Sequence, residues 1–201
     1  MAPLAVTLTV DVVCPFSYLG CSRLFEALVM EEVAPALLAW TVEPVLTIPS
    51  PRSLSDDGQT EATRSSARYG DPAVLHRRVE RLIARSGVTV RSGVSSERAH
   101  VLLTHTPDPE LLRRLFKAHF DEGRDISSMG ELCEIAAEQG IAREVVIELL
   151  ENPERAAEVR TRAARYADMQ TPRIRINGSA PFVGVQAVET YRRALAHGRR
   201  A

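Results

Sequence analysis

Strand-forming sequence in this chain is confined to its two ends, and the long stretch between them is patterned as helix. Residues 6–12 read Val-Thr-Leu-Thr-Val-Asp-Val. That alternation of β-branched and polar positions predicts a strand. Cys14 and Pro15 follow at once, and Leu24, Phe25 and Leu28 then recur at helical spacing up to about residue 32. A proline suits the first helical position, where its missing N–H would have no partner anyway. Residues 37–46 predict a second strand. Strand character returns only near the end, where Thr171-Pro172-Arg173-Ile174-Arg175-Ile176 runs into Asn177-Gly178, the strongest short hairpin signal. Residues 181–184 are the expected return strand and 186–197 a closing helix. An isolated hairpin is not stable in water, so the strands of the two ends are expected to share one sheet. The layout is βαβ, a helical block, then ββα, which is an α/β class.

The middle of the chain supports that division. Residues 48–57 carry prolines, serines and aspartates and read as a loop. From about residue 61 to 168 the pattern is almost wholly helical. Asp71-Pro72, Asp108-Pro109 and Asn152-Pro153 each place a capping side chain before a proline, and Ser128-Met129-Gly130-Glu131 has the form of a capping box. Leu111, Leu112, Leu115, Phe116, His119 and Phe120 form one apolar stripe, and Met129, Leu132, Cys133 and Ala136 form another. No change of composition marks a linker. We therefore expect residues 1–58 and 169–201 to form one small α/β unit and residues 59–168 to be an all-helical insertion packed on it.

Charge and cysteine usage narrow the function. The formal net charge is −1 and Lys117 is the only lysine, which gives no electrostatic case for nucleic acid or a membrane surface as partner. Residues 5–13 are apolar, but no basic segment precedes them and no small-residue cleavage site follows. With no span of roughly 18 apolar residues either, the expected location is cytoplasmic. Cys14, Cys21 and Cys133 in a reducing compartment do not make a disulfide framework. The five histidines, His76, His100, His105, His119 and His197, show no metal-ligand spacing with cysteines or carboxylates, so no metal is expected.

Cys14 ends a strand and opens a helix through Pro15. A helix N-terminus presents unpaired N–H groups and partial positive charge, both of which favour thiolate over thiol. The plainer reading is a small apolar residue filling a strand–helix junction. Thr171-Pro172 just ahead of the second strand pair weighs against that plainer reading. A cis bond there would lay the proline beside the first helix and turn the Thr171 backbone toward a cleft, where it can pair with a peptide or a thiol. The plainer alternative is a trans proline opening an edge strand.

These residues resemble a known family. Asp11-Val12-Val13-Cys14-Pro15-Phe16-Ser17-Tyr18-Leu19-Gly20 is similar to the active-site segment of DsbA-family proteins of the FrnE-like group, usually C-P-x-C-Y-x-G. Segments 96–100 and 115–126 resemble two helical signatures of that group. Thr171-Pro172 matches its cis-proline loop, and Asn177-Gly178 with Gly184-Val185-Gln186 its closing hairpin and helix start. The resemblance implies a thioredoxin fold with a large helical insertion between the second and third strands, and thiol–disulfide chemistry. It also extends to 2-hydroxychromene-2-carboxylate isomerases and kappa-class glutathione transferases, whose motif is S-P-Y-S.

This chain departs from both motifs, with Cys14 like the oxidoreductases and Ser17 like the transferases. Ser17 cannot resolve a mixed disulfide. Cys21 lies two helical turns on, roughly 10 Å along the axis. Cys133 reads as buried core. The expectation is a single reactive cysteine, Cys14, working through a mixed disulfide with a small thiol or a disulfide-containing client. Ser17 either donates to that sulfur or satisfies backbone groups of the first turn. Pro15, Phe16, Thr171, Pro172 and Gln186 are the expected thiol-binding residues. No covalently bound cofactor is expected; the expected cofactor is a low-molecular-weight thiol of the glutathione or mycothiol type. The alternative is a thiol-dependent isomerase or transferase acting on an aromatic or polyketide-like substrate, and a third reading is a binding protein with an unreactive Cys14. Relatives with this fold are commonly dimeric, so a homodimer is expected.

Overall fold

A computed structural model describes residues 3–46, 77, 81, 85 and 93–198. The expected loop at 48–57, the boundary after residue 58, His76 and the helix start at Asp71-Pro72 lie outside the described residues. The alternating segment at the N-terminus forms β1 (Leu4–Val10), a little earlier than the sequence pattern placed it. It is followed by α1 (Pro15–Met30), a 3-10 turn over Pro35–Leu37, and β2 (Leu38–Pro44). Among the residues described from 93 on, the helical block forms α2 (Glu97–His105), α3 (Pro109–Phe120), α4 (Met129–Ala137), α5 (Arg143–Glu151) and α6 (Pro153–Ala164). The chain closes with β3 (Arg173–Ile176), β4 (Phe182–Val183) and α7 (Val188–Gly198).

The four strands lie in the order β2-β1-β3-β4. β1 runs parallel to β2, with Leu8 beside Val42, and antiparallel to β3, with Leu8 opposite Ile174. The N-terminal strand is thus held between one neighbour from each end of the chain. β3 is an interior strand, so Arg173 and Arg175 are not on a sheet edge. Val6, Leu8, Val10, Ile174 and Ile176 are all buried on one face. On that side α1 and α7 pack together, with Tyr191 edge-on to Phe182 at 5.7 Å between ring centres. This is a thioredoxin fold whose second and third strands are separated by a helical block.

Two of the expected caps form as written. The Asp108 carboxylate accepts from Glu110 N–H at 2.8 Å, and the Asn152 side chain accepts from Glu154 N–H at 2.9 Å. The capping box does not form. Ser128 occupies the N-cap without a side-chain bond, and Glu131 turns to the Arg124 guanidinium at 2.5 Å. A carboxylate–guanidinium pair outcompetes a carboxylate–amide bond here, and Ser128 N–H donates to Asp125 C=O at 3.0 Å instead.

The hairpin also differs from its sequence signal. Asn177 and Gly178 both adopt positive φ, and Ser179 N–H closes the turn on Ile176 C=O at 3.0 Å. Pairing does not resume until Phe182, because Pro181 has no N–H to donate and cannot join the ladder. The closing helix starts two residues later than expected, at Val188. The helical block reaches the sheet through α2 and α6, and Arg162 of α6 donates to Val42 C=O at 3.2 Å and pairs with Glu43 at 3.3 Å. Among the described residues one contiguous buried cluster runs from Leu8 and Leu24 to Leu102, Leu112 and Phe116.

Candidate active site

Between β1 and α1 the chain makes a tight turn, and Cys14 stands at its exit. Cys14 N–H donates to Asp11 C=O at 3.1 Å, and Cys14 C=O accepts from Tyr18 N–H at 3.0 Å, the first turn of α1. Cys14 has extended backbone (φ −88°, ψ 118°) and Pro15 follows it, so the helix begins abruptly at that point. The side chain therefore lies at the positive end of a 16-residue helix. It is only 5 % exposed.

The far end of the chain meets it there. The Thr171–Pro172 bond is cis, as expected from the sequence. The Thr171 hydroxyl donates to Cys14 Sγ at 3.6 Å, although 157 positions separate the two residues. Pro172 packs against α1 so closely that a Cβ placed on Gly20 would lie 2.5 Å from Pro172 Cγ. Gly184 N–H donates to Pro172 C=O at 2.8 Å and fixes the other side of this loop. Gly20, which the sequence reading quoted only as part of a motif, is thus the clearance that lets the proline approach. Pro15 and Phe16 are half-buried beside the cysteine.

Ser17 is fully buried, and its hydroxyl accepts from Asp11 N–H at 3.3 Å. Of its two expected roles, the structure places it on the backbone of the turn. Gln186 precedes α7, and its amide donates to Val183 C=O at 2.7 Å while its backbone C=O accepts from Arg23 at 2.9 Å. It is tied into the loop that follows β4 and not into a helix N-terminus.

The other thiols differ from Cys14. Cys21 is wholly buried, and burial, then the nearby Cys14, pushes its thiol far up. It stays protonated and inert in the neutral range. Cys133 is buried on the α4 stripe, as expected. None of the three cysteines is in a disulfide.

Two contacts tie the motif to the helical block. The Tyr18 hydroxyl donates to the Asp121 carboxylate, 3.0 Å from each oxygen, and its ring stacks on Phe120 at 4.9 Å. Burial, then the bond to Asp121 and its charge, pushes Tyr18 up to about 12, so the hydroxyl keeps its proton. Below the turn, the Asp11 carboxylate accepts from Val13 N–H at 3.2 Å and faces His100 Nε2 of α2 at 3.6 Å. The sequence reading found no metal-ligand spacing at His100 and gave Asp11 no role of its own. The available signal was a lone carboxylate inside a Val-Asp-Val-Val run. Among the described residues no group of three His, Cys, Asp or Glu side chains is placed to hold a metal, and no helix is long and apolar enough to cross a membrane.

Solved structures share this architecture at low sequence identity. A probable DsbA oxidoreductase from Streptomyces coelicolor is 22% identical, with a TM-score of 0.68 over 98% of this chain and 90% of that one. A 2-hydroxychromene-2-carboxylate isomerase is 13% identical, with a TM-score of 0.67 over 98% and 96%. The cytosolic disulfide reductase DsbM from Pseudomonas aeruginosa is 20% identical, with a TM-score of 0.59 over 98% of each chain, and it is also known with GSH. No curated protein matches the sequence. The family model for the DSBA-like thioredoxin domain matches residues 5–196, nearly the whole length, and this chain belongs to that family.

Proposed function

We propose that the protein is a thiol–disulfide oxidoreductase that works through one reactive cysteine, Cys14. The observation that carries this reading is the place of one sulfur: it stands at the start of α1 with the Thr171 hydroxyl 3.6 Å away, and the Pro172 loop that follows Thr171 packs on Gly20 of the same helix. In the reaction, the Cys14 thiolate attacks one sulfur of a disulfide R–S–S–R′. A Cys14–S–S–R bond forms, the S–S bond of the substrate breaks, and R′S⁻ leaves with the electron pair. A small thiolate R″S⁻ then attacks the R sulfur, an R–S–S–R″ bond forms, the Cys14–S–S–R bond breaks, and Cys14 leaves as the thiolate with the electron pair. No other cysteine is required, which suits a motif with Ser17 where a resolving cysteine would stand.

Thr171, Pro172, Pro15 and Phe16 border Cys14 and are the proposed contacts for the group attached to sulfur. Gln186 is proposed as a more distant contact, through the loop it anchors. DsbM with GSH supports a small thiol of the glutathione or mycothiol type as the second substrate. A cytoplasmic site of action and a homodimer complete the proposal. Both rest on the sequence reading and are checked by fractionation and by light scattering.

The presence of Ser17 in place of a second cysteine also favours a second reading. In that reading Cys14 and a bound thiol serve an isomerase or transferase reaction on an aromatic or polyketide-like substrate. One experiment separates the two. The protein is incubated with oxidised glutathione and its intact mass measured, for wild type and Cys14→Ser. One glutathione added to wild type and none to the variant is the expected result. No adduct on wild type, or equal adducts on both, defeats the oxidoreductase reading.

A further inference from the structure

We propose that Arg23 is a positioning residue of the thiol site: from α1 it holds the loop between β4 and α7 in place to meet the group attached to Cys14. The proposal rests on the oxidoreductase reading, because it concerns the group that Cys14 carries in the mixed disulfide. The loop is tied to the rest of the molecule at few points. At its start, Gly184 N–H donates to Pro172 C=O at 2.8 Å and extends the β3–β4 pairing. The Gln186 amide turns back to Val183 C=O at 2.7 Å, a bond that shapes the loop without placing it. At its end, Thr190 N–H donates to Ala187 C=O at 3.0 Å and opens α7. Among the described residues, the hydrogen bond that crosses from this loop to α1 is the one from Arg23 Nη1 to Gln186 C=O, at 2.9 Å.

Arg23 acts on the site from outside it. It stands nine residues beyond Cys14 on α1, roughly 14 Å along the axis, too far to touch the reacting atoms. It also stands three residues beyond Gly20, so the two share one face of the helix. Gly20 receives Pro172, and one turn on Arg23 receives the next loop. Thr171, just ahead of Pro172, has its hydroxyl on Sγ, and Pro172 C=O is bonded to the first residue of the loop. A path thus runs from the sulfur past Pro172 to residues 184–187. A tripeptide thiol is about 10 Å long when extended, enough to follow it.

A guanidinium suits this task. It stays charged at every working pH, and a charged donor binds a carbonyl more strongly than a neutral one does. The side chain is exposed, and surface substitutions of this kind change global stability little. Loss of the bond should therefore loosen one loop and leave the fold intact. Cys14 itself should be unaffected, because Pro172 keeps its contact with Gly20 and its bond to Gly184.

Wild type, Arg23→Met and Arg23→Lys test the assignment. Formation of the glutathione adduct is timed by intact mass over a range of oxidised glutathione, and Cys14 is separately alkylated with iodoacetamide, which needs the thiolate and nothing of the loop. In Arg23→Met the half-saturating concentration is expected to rise by about three- to tenfold, the effect of one lost hydrogen bond. The maximal rate and the alkylation rate should stay within about twofold, as for a residue that serves binding alone. Arg23→Lys keeps a charged donor and should recover part of the rise. The rise should persist in roughly 1 M salt, where a merely steering charge is screened. Amide exchange read by mass spectrometry should quicken in peptides over residues 184–187 of Arg23→Met and stay unchanged around Cys14. An unaltered half-saturating concentration, a rise that salt abolishes, or unaltered exchange in the loop overturns the proposal. If wild type itself forms no adduct, the oxidoreductase reading has failed; if wild type forms it and Arg23→Met matches wild type, the role of Arg23 alone has failed.

Discussion

At the scale of single residues, the site comes down to what surrounds one sulfur. Cys14 has a helix start on one side and a hydroxyl on the other. Thr171→Val keeps the shape and removes the donor. A neutral hydrogen bond to sulfur at 3.6 Å is weak, so we expect labelling of Cys14 at fixed pH to slow by about three- to fivefold. An unchanged rate would show that the hydroxyl does not act on the thiolate. Selectivity is a second expectation at this scale. Cys21 is fully buried with its thiol pushed far up, and Cys133 lies in the core. Brief treatment with a thiol reagent should therefore modify Cys14 first, which peptide mapping reads directly. Dominant label on Cys21 or Cys133 would contradict the assignment of Cys14 as the reactive thiol.

At the scale of elements, α1 is the beam on which two other parts of the chain are mounted. The Pro172 loop sits on it at Gly20. Gly20→Ala should stabilise an isolated helix by about 1 kcal/mol, but its Cβ would lie 2.5 Å from Pro172 Cγ. Overpacking of this kind costs about 1–3 kcal/mol. Sterics win, and we expect a net loss of stability in denaturant titration together with altered Cys14 labelling as the loop is pushed away. A more stable protein with unchanged labelling would contradict the packing.

The second mounting is Tyr18 on Asp121 and Phe120. Tyr18→Phe keeps the stack and loses the hydroxyl, for about 0.5–1.5 kcal/mol. The pH dependence has a definite sign. The folded-state value of Tyr18, about 12, lies above its ordinary value of 10.0. The folded state therefore holds this proton more tightly, and its contribution is complete below pH 10 and lost as pH rises toward 12. Wild type should lose more stability than Tyr18→Phe across that interval, as read by unfolding at a series of alkaline pH values.

At the scale of the whole molecule, the sheet is the point where the chain's two ends become one structure. β1 lies between β2, whose paired residues are 34 positions on (Leu4 beside Leu38), and β3, which comes after the helical block. Asn177 reinforces this closure. Its side chain accepts from Ala5 N–H and donates to Gly198 C=O, both at 2.9 Å, so one residue joins β1, the turn after β3 and the end of α7. Asn177→Gly tolerates the positive φ and loses both bonds. At about 1 kcal/mol for each, and about 2–4 °C per kcal/mol for a chain of this size, the melting temperature should fall by about 4–8 °C. A change under a degree in calorimetry would show that the closure does not depend on this side chain.

Local physics wrote much of this protein into its sequence. Period-two alternation marked β1, helical spacing marked α1, and Asp108 and Asn152 announced their helices, because each of these signals acts within a few residues. The cysteine at the helix start was legible for the same reason, whereas the cis-proline ahead of β3 was expected from the layout of the two chain ends and from the family resemblance. Competition between partners was not legible. Glu131 left its capping box for Arg124, seven positions back, and only the folded turn selected the backbone role of Ser17 from the two expected. Gln186 became part of a loop anchored by Arg23, 163 positions away. The Asp11–His100 pair, the hydroxyl of Thr171 on Cys14 and the fit of Pro172 against Gly20 each join segments that sequence spacing leaves unrelated. Only tertiary structure brings such groups within a few ångströms, so it alone decided which side chains surround the sulfur.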